Sequence, residues 1–304
     1  DPDVRSDMKI NENHWAEKKP DITEIIYLPI ADNATRVAAL LSGEVDLVQD
    51  VPVQDVERLA NTAGINVETG PENRFIYFGY RFGDAPLKSS NVTDKNPIND
   101  PRVREAMHLA IDRNAIQKVV MRGQSIPTGV ANPPFVNGWT PELAAYPEKA
   151  DVARAKELLA EAGYPDGFSI TLDTPNNRYV NDEAISQAVV GMLGQIGIRA
   201  TLASRPVAQH SPLITSGQTE FYLLGWGVPT FDSAYIFNDL IHTKEGDYGA
   251  YNPSGYSNAE LDEKIQSLGT QTDLEARNAT IAEIWAQVQE DRVLLPIHNQ
   301  LLSY

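Results

Sequence analysis

Apolar positions along the chain switch repeatedly between a spacing of two and a spacing of three to four, the mark of alternating strands and helices. Residues 24–30 read as a strand around Ile25, Ile26 and Leu28. Asp32 or Asn33 then caps a helix with Val37, Leu40 and Leu41 on one face, Gly43 ends it in the left-handed position, and 45–48 return as a strand. Residues 73–80 predict a strand rich in aromatics. Asp100-Pro101 is a helix start, a capping residue followed by proline, and Val103, Met107, Ala110 and Ile111 recur behind it at helical spacing. A further helical piece carries Ile116, Val119 and Val120. Residues 123–146 are irregular, with four prolines, and fit either a lid or a surface connection.

The clearest unit is strand–helix–strand. Asp151 caps a helix with Ala155, Leu158 and Leu159 that Gly163 closes, and 164–167 form a turn. Phe168, Ile170 and Leu172 alternate as a strand. A helix with Ile185, Val189, Met192 and Leu193 crosses back and stops at Gly197, and Ile198, Ala200 and Leu202 supply the parallel partner. Residues 221–224 are an apolar run that reads as another buried strand, ending in Gly225-Trp226-Gly227, then Pro229, then aromatics around Asp232. Residues 257–260 read as a capping box opening a helix with Leu261, Ile265 and Leu268. Asp273 caps a longer helix whose buried stripe includes Trp285, read as core. Residues 293–297 form a last strand, with Pro296 marking an edge or a crossing point. The fold class is α/β, and such folds bind ligands at the carboxyl ends of their strands. Two loops stand there, 176–181 and 225–237. Each also has a plain reading: Asn181 or Asp182 as a helix cap in the first, Asp232 as a cap and Trp226 as core in the second.

Composition narrows the function. A chain of 304 residues with 42% apolar and 22% charged residues suits one large or two ordinary domains. A net charge of −17 argues against nucleic acid and anionic membranes, and reads as a surface kept monomeric by like charge. The absence of cysteine excludes disulfides, thiolate catalysis and Cys-based metal sites. No apolar run reaches membrane-span length, and the abrupt start at Asp1-Pro2-Asp3 fits a processed product or an excised piece. The five histidines lie far apart and form no zinc motif; phosphate loops, a complete dinucleotide fingerprint and a nucleophile elbow are likewise missing. Close carboxylates such as Glu157 and Glu161 read as solvated helix faces, and three Asn-x-Thr triplets read as incidental.

Four stretches carry a family resemblance. They are Asn13-His14-Trp15 followed by 35–46, from Thr35-Arg36-Val37 to Gly43-Glu44-Val45-Asp46; 99–113, from Asn99-Asp100-Pro101-Arg102 to Asp112-Arg113; 155–168, with Ala162-Gly163-Tyr164-Pro165-Asp166-Gly167-Phe168; and 256–262, Tyr256-Ser257-Asn258-Ala259-Glu260-Leu261-Asp262. On these the chain resembles the solute-binding proteins of peptide- and nickel-type ABC importers, family 5 of the extracellular solute-binding proteins. The resemblance implies the type II periplasmic-binding-protein fold, a clamshell of two α/β lobes with the first lobe incomplete. Residues 1–80 would be part of that lobe, 81–293 the second, ligand-closing lobe, and 294–304 the return strand. Family members are longer, so a signal peptide and a further small domain are expected ahead of Asp1, and this piece alone is expected to bind cargo weakly.

The resemblance also implies a periplasmic monomer that captures peptides or peptide-like solutes and delivers them to an inner-membrane permease and its ATPase. No enzymatic activity, cofactor or metal is expected. The alternatives are a binder of another solute (sugar, opine or metal chelate), a carboxylate-dependent hydrolase and a plain interaction module. In the peptide binders a Gly-Trp turn is followed, three residues after the Trp, by an Asp that pairs with the peptide amino group. Trp226 matches the Trp, but Pro229 stands at the Asp position. Asp232 replaces it only if the loop bends differently. The expected ligand residues are Trp226, Gly227, Asp232 and Tyr235 with Asn176, Arg178 and Tyr179.

Overall fold

The computed structural model describes residues 4–15 and 21–304; residues 1–3 and 16–20, which the sequence reading counts into the first lobe, lie outside the described residues. The chain divides into two compact units, 1–68 with 303–304, and 69–302.

In the first unit, β1 (Ser6–Lys9) pairs antiparallel with β2 (Glu24–Tyr27), Ser6 opposite Tyr27 and Lys9 opposite Glu24. The strand expected over 24–30 stops at Tyr27, and Pro29 just beyond has no N–H to extend a ladder. Of the two candidate caps, Asp32 opens α1 (Asn33–Ser42) by accepting the Thr35 N–H at 2.8 Å, and Gly43 closes it at φ 75°. The strand expected at 45–48 does not form. Val48 is buried instead in a small core with Val37, Val51 and Leu59, the last on α2 (Val56–Ala60). An apolar spacing specifies burial, whereas a strand also needs a partner backbone.

The second unit begins with β3 (Thr69–Tyr80), whose last six residues are buried. Asp100 accepts the Arg102 N–H at 2.9 Å and opens α3 (Pro101–Ala110) with Pro101 in the first turn. After α4 (Arg113–Ala115) the chain makes a π turn, Ile116–Val120. The stretch expected to be irregular contains a short strand, β4 (Ser125–Pro127). Then follow α5 (Val152–Glu161), β5 (Ser169–Pro175), α6 (Asp182–Gln195) and β6 (Arg199–Arg205). β5 and β6 are parallel, from Ser169 opposite Arg199 to Pro175 opposite Arg205, the arrangement expected from the alternation. Next come α7 (Val207–Thr215), β7 (Phe221–Gly227) and α8 (Ser233–Ile236), which runs into a second π turn, Phe237–Ile241. The unit closes with α9 (Ala259–Ser267), α10 (Leu274–Glu290) and β8 (Leu294–Ser303).

The cap of α9 is Asn258, whose side chain accepts the Leu261 N–H, rather than the Ser257 of the expected box. Ser257 Oγ is taken by the Thr243 hydroxyl at 2.8 Å, so the helix starts one residue later. The six strands order as β4-β8-β3-β7-β5-β6. β3 runs antiparallel to β7, and β5 parallel to β7. β4 covers only His298 to Gln300 of β8, so Pro296 lies past that paired stretch, and its carbonyl accepts from Arg113 Nε at 2.8 Å. The main core joins Phe75 and Tyr77 of β3 to Ile236, Phe237, Ile281, Ile284 and Trp285. Trp285 is fully buried, donates Nε1–H to Ser233 Oγ at 2.9 Å and meets Phe237 edge-on at 4.8 Å. This packing holds α8 and α10 against the end of β7.

Candidate ligand site

The carboxyl ends of β5 and β7 open onto a cavity of about 300 Å³ within the second unit. Trp226 and Gly227 line it from β7, Arg178 and Tyr179 from the loop after β5, Tyr235 from α8, and Arg74 from β3. Five of the seven residues expected from sequence thus meet around one space. Asn176 does not line it; its N–H is bound to the Arg205 carbonyl at 3.1 Å, which continues the β5–β6 pairing.

Asp232 does not line it either. Its carboxylate is held by both terminal nitrogens of Arg277 at 2.8 Å, by Asn137 Nδ2 at 3.0 Å and by the Ala234 N–H at 2.9 Å. Burial alone would raise its pKa; the hydrogen bonds from Arg277 and Asn137 outweigh that and hold the carboxyl below its usual range. The structure therefore gives Asp232 the capping role. A carboxylate with this many donors has no lone pair left for a cargo amine, and the loop keeps Pro229 where the peptide-type grip would stand.

Local chemistry explains the rest of the wall. Asp182 at the start of α6 turns its carboxylate back to accept the N–H groups of Arg178 and Tyr179 at 2.9 and 3.0 Å, which fixes the loop. Burial raises the Asp182 pKa while these N–H groups oppose the rise. Tyr179 Oη donates to the Gly225 carbonyl at 3.1 Å. A Cβ on Gly225 would lie 2.7 Å from the Tyr179 ring and 2.8 Å from Ile76, so this glycine is what admits the tyrosine. The guanidinium carbons of Arg178 and Arg74 stand 5.4 and 5.7 Å from the Tyr179 ring centre.

Trp226 is the centre of an aromatic group. Its ring lies 4.9 Å from Tyr251 and 5.9 Å from Tyr235, nearly parallel to the latter. Its Nε1–H is enclosed and has no hydrogen-bond partner among the described residues. The second π turn positions two of these rings. It carries on from the helix bearing Tyr235, and its Asn238 and Asp239 carbonyls accept the N–H groups of Gly249 and Tyr251 at 2.7 and 3.0 Å. Burial, with Asp239 beside it, pushes the Tyr235 hydroxyl up.

Tyr251, Lys244, Arg74 and Gly225 are among the lining residues outside the expected ligand set. Arg74 arrives because β3 pairs with β7 in a register that sets it opposite Gly227, and Tyr251 because the π turn captures its backbone. Neither has a local signal. The repeated glycines around Trp226 were a usable signal for Gly225. Every charged residue lining the cavity is a cation: Arg74, Arg178 and Lys244. Arg74 is paired with Glu72 at 2.9 Å, whereas neither Arg178 nor Lys244 has an ion pair among the described residues. In a chain of net charge −17 the charged residues that line this cavity are all cationic, with Glu72 and Asp239 standing behind them.

Comparisons with known proteins give this site a context. A sequence model of the bacterial extracellular solute-binding proteins, family 5 middle region, matches residues 1–248. The glutathione-binding protein GsiB of Salmonella choleraesuis (strain SC-B67) is 31% identical over 258 residues, covering 83% of this chain and 47% of the relative. The chain thus spans about half the length of such relatives. Among solved structures, the periplasmic binding protein DppA of Helicobacter pylori in complex with the peptide STSA superposes with a TM-score of 0.81 at 21% identity, covering 99% of this chain and 56% of that one. The binding protein AgaA of A. tumefacien R10 in complex with agropinic acid gives 0.79 at 23%, covering 100% and 59%. These likenesses establish the mixed α/β fold of the type II periplasmic binding proteins, of which this chain is a part. With the family signature running through four fifths of its sequence, the chain belongs to family 5 of the bacterial extracellular solute-binding proteins.

Proposed function

We propose that the chain is part of the periplasmic solute-binding component of an ABC importer, and that its cargo is a small, peptide-like solute bearing carboxylates. In this reading residues 1–80 contribute to the first lobe, 81–293 form the lobe that closes on cargo, and 294–304 return to the first. The protein acts as a monomer, has no enzymatic activity and hands its cargo to a permease with its ATPase. The observation that carries the cargo class is the lining itself. Trp226, Tyr235 and Tyr251 offer apolar faces, Arg178, Lys244 and Arg74 offer positive charge, and no carboxylate lines the cavity. Guanidinium and ammonium donors suit carboxylates, whereas a cargo amine finds only cations. GsiB is named for glutathione, a tripeptide with two carboxylates, and AgaA is solved with an acid, which supports the same class.

The test is calorimetry with glutathione, an acidic dipeptide and the same dipeptide amidated at its carboxyl groups. Acidic ligands are expected to bind, and Arg178→Gln to weaken them roughly 10- to 100-fold, the worth of one charge-assisted hydrogen bond. Amidated ligand binding as tightly as the acid would overturn the assignment.

A further inference from the structure

A second concavity lies elsewhere in the same unit and shares no lining residue with the Trp226 cavity. It consists of two adjoining hollows of about 170 Å³ each, with His108, Gly129, Ala145 and Arg292 common to both. Glu105 and Arg113 line one of them.

Arg113 is only 2% exposed. Its Nε donates to the Pro296 carbonyl at 2.8 Å and its guanidinium carbon stands 5.8 Å from the Tyr146 ring centre, but Nη1 is enclosed and has no hydrogen-bond partner among the described residues. The ionisable groups that face it are the phenols of Tyr80 and Tyr146. Burial pushes both phenols up, so they are neutral at physiological pH and supply no counter-charge. Burial also draws Arg113 down to about 10, which leaves it cationic. A buried guanidinium with a free N–H and no anion is costly to fold around.

The neighbouring groups extend the argument. Arg292 pairs with Glu105 at 3.3 Å, the one carboxylate among the residues lining the hollow. Arg292 stands at φ 48° just past the end of α10, where the left-handed conformation lets the Val293 N–H reach the Val288 carbonyl and closes the helix. His108 is kept neutral by its burial and is supported by the Leu294 backbone, while its Nε2 is enclosed and without a partner. The hollow is therefore bordered by two residues, Arg113 and His108, that each carry an enclosed, unpaired nitrogen, with two guanidiniums to one carboxylate in its lining.

We propose that this hollow is a second binding site, for a small oxyanion, with Arg113 and Arg292 donating to its oxygens and His108 Nε2 meeting a protonated one. Hydrogen phosphate and bicarbonate carry both kinds of oxygen; a simple carboxylate satisfies the arginines alone. Such a site sits apart from the cargo, so the oxyanion binds the empty and loaded protein alike.

Inorganic phosphate is the probe, titrated by calorimetry against chloride and acetate at matched ionic strength. Crystals soaked in arsenate, a phosphate analogue, locate the ion by its anomalous signal. Saturable phosphate binding is expected, weakened about tenfold or more by Arg292→Gln and by His108→Gln and unchanged by Arg178→Gln. Both lining variants are first matched to the parent by thermal melting. An arsenic peak within hydrogen-bond distance of Arg113 supports the site, and acetate binding as tightly as phosphate identifies its ligand as a carboxylate. Ordered water alone beside Arg113 at saturating arsenate, or phosphate binding that disappears with Arg178→Gln, overturns it.

Discussion

The side chain that Gly225 lacks is what lets Tyr179 close one wall of the Trp226 cavity. Gly225→Ala would press a methyl against the Tyr179 and Ile76 side chains at under 3 Å. The expected cost is about 1–3 kcal/mol of stability, as for other overpacked sites, together with weaker cargo binding. Urea denaturation and calorimetry on the same sample check both, and an unaffected variant would mean that Tyr179 is free to move. Asp232 should behave in the opposite way. Its bidentate pair with Arg277 is partly exposed, so Asp232→Asn is expected to lose about 1–2 kcal/mol of stability and little affinity. A large loss of affinity at full stability would return Asp232 to the ligand site. Sequence had singled out Asp232 as a stand-in for the Asp that Pro229 replaces; its cap to the Ala234 N–H was legible locally, but Arg277 comes from α10 and Asn137 from the segment between β4 and α5, and no local pattern announces them.

At the scale of elements, caps were legible where an acidic residue stood as the one candidate before an apolar stripe, as at Asp100, Asp151 and Asp273. Where two capping residues adjoin, tertiary contacts chose between them. Thr243 occupies the Ser257 hydroxyl, and Asn258 became the cap of α9. Asn258→Ala is accordingly expected to cost about 1 kcal/mol, the usual worth of a cap, and Ser257→Ala clearly less. Thermal melts of the two variants check this, and equal losses would mean that the helix start is shared. The second π turn had no sequence signature, because a widened turn depends on what packs around it. Yet that turn sets the backbone of Tyr251 in the cargo wall.

For the whole molecule, charge and burial set the response to pH. His298 is 1% exposed in the sheet, neither ring nitrogen has a hydrogen-bond partner among the described residues, and burial pushes its pKa down to about 3. In the unfolded chain the same ring titrates near 6.5. Between those values the unfolded state binds more protons, so this contribution is complete above about pH 7 and is lost as pH falls from 6.5 toward 3. His108 and His210, also lowered by burial, add the same sign. His298 alone is expected to remove about 2 kcal/mol between pH 7.5 and pH 5. Urea midpoints of the parent and of His298→Asn at the two values test this; a parent as stable at pH 5 as at pH 7.5 defeats it.

The strand–helix alternation from α5 to β6, the parallel β5–β6 unit, most helix starts and the family were legible in the sequence alone, because periodicity, caps and turn glycines act over a few neighbouring residues, whereas β1, α2, β4 and α7 were not. Five cargo-wall residues were legible for the same reason: they follow the ends of strands that could be recognised. Tertiary structure decided what depends on residues far apart in the chain. It left 45–48 without a partner strand, committed Asp232 to Arg277, and brought Arg74 and Tyr251 beside Trp226. It also gathered Arg113 and His108 with Arg292 around one hollow, from two stretches of sequence far apart in the chain. Register and burial are properties of pairs of segments, and a single segment read by itself does not contain them.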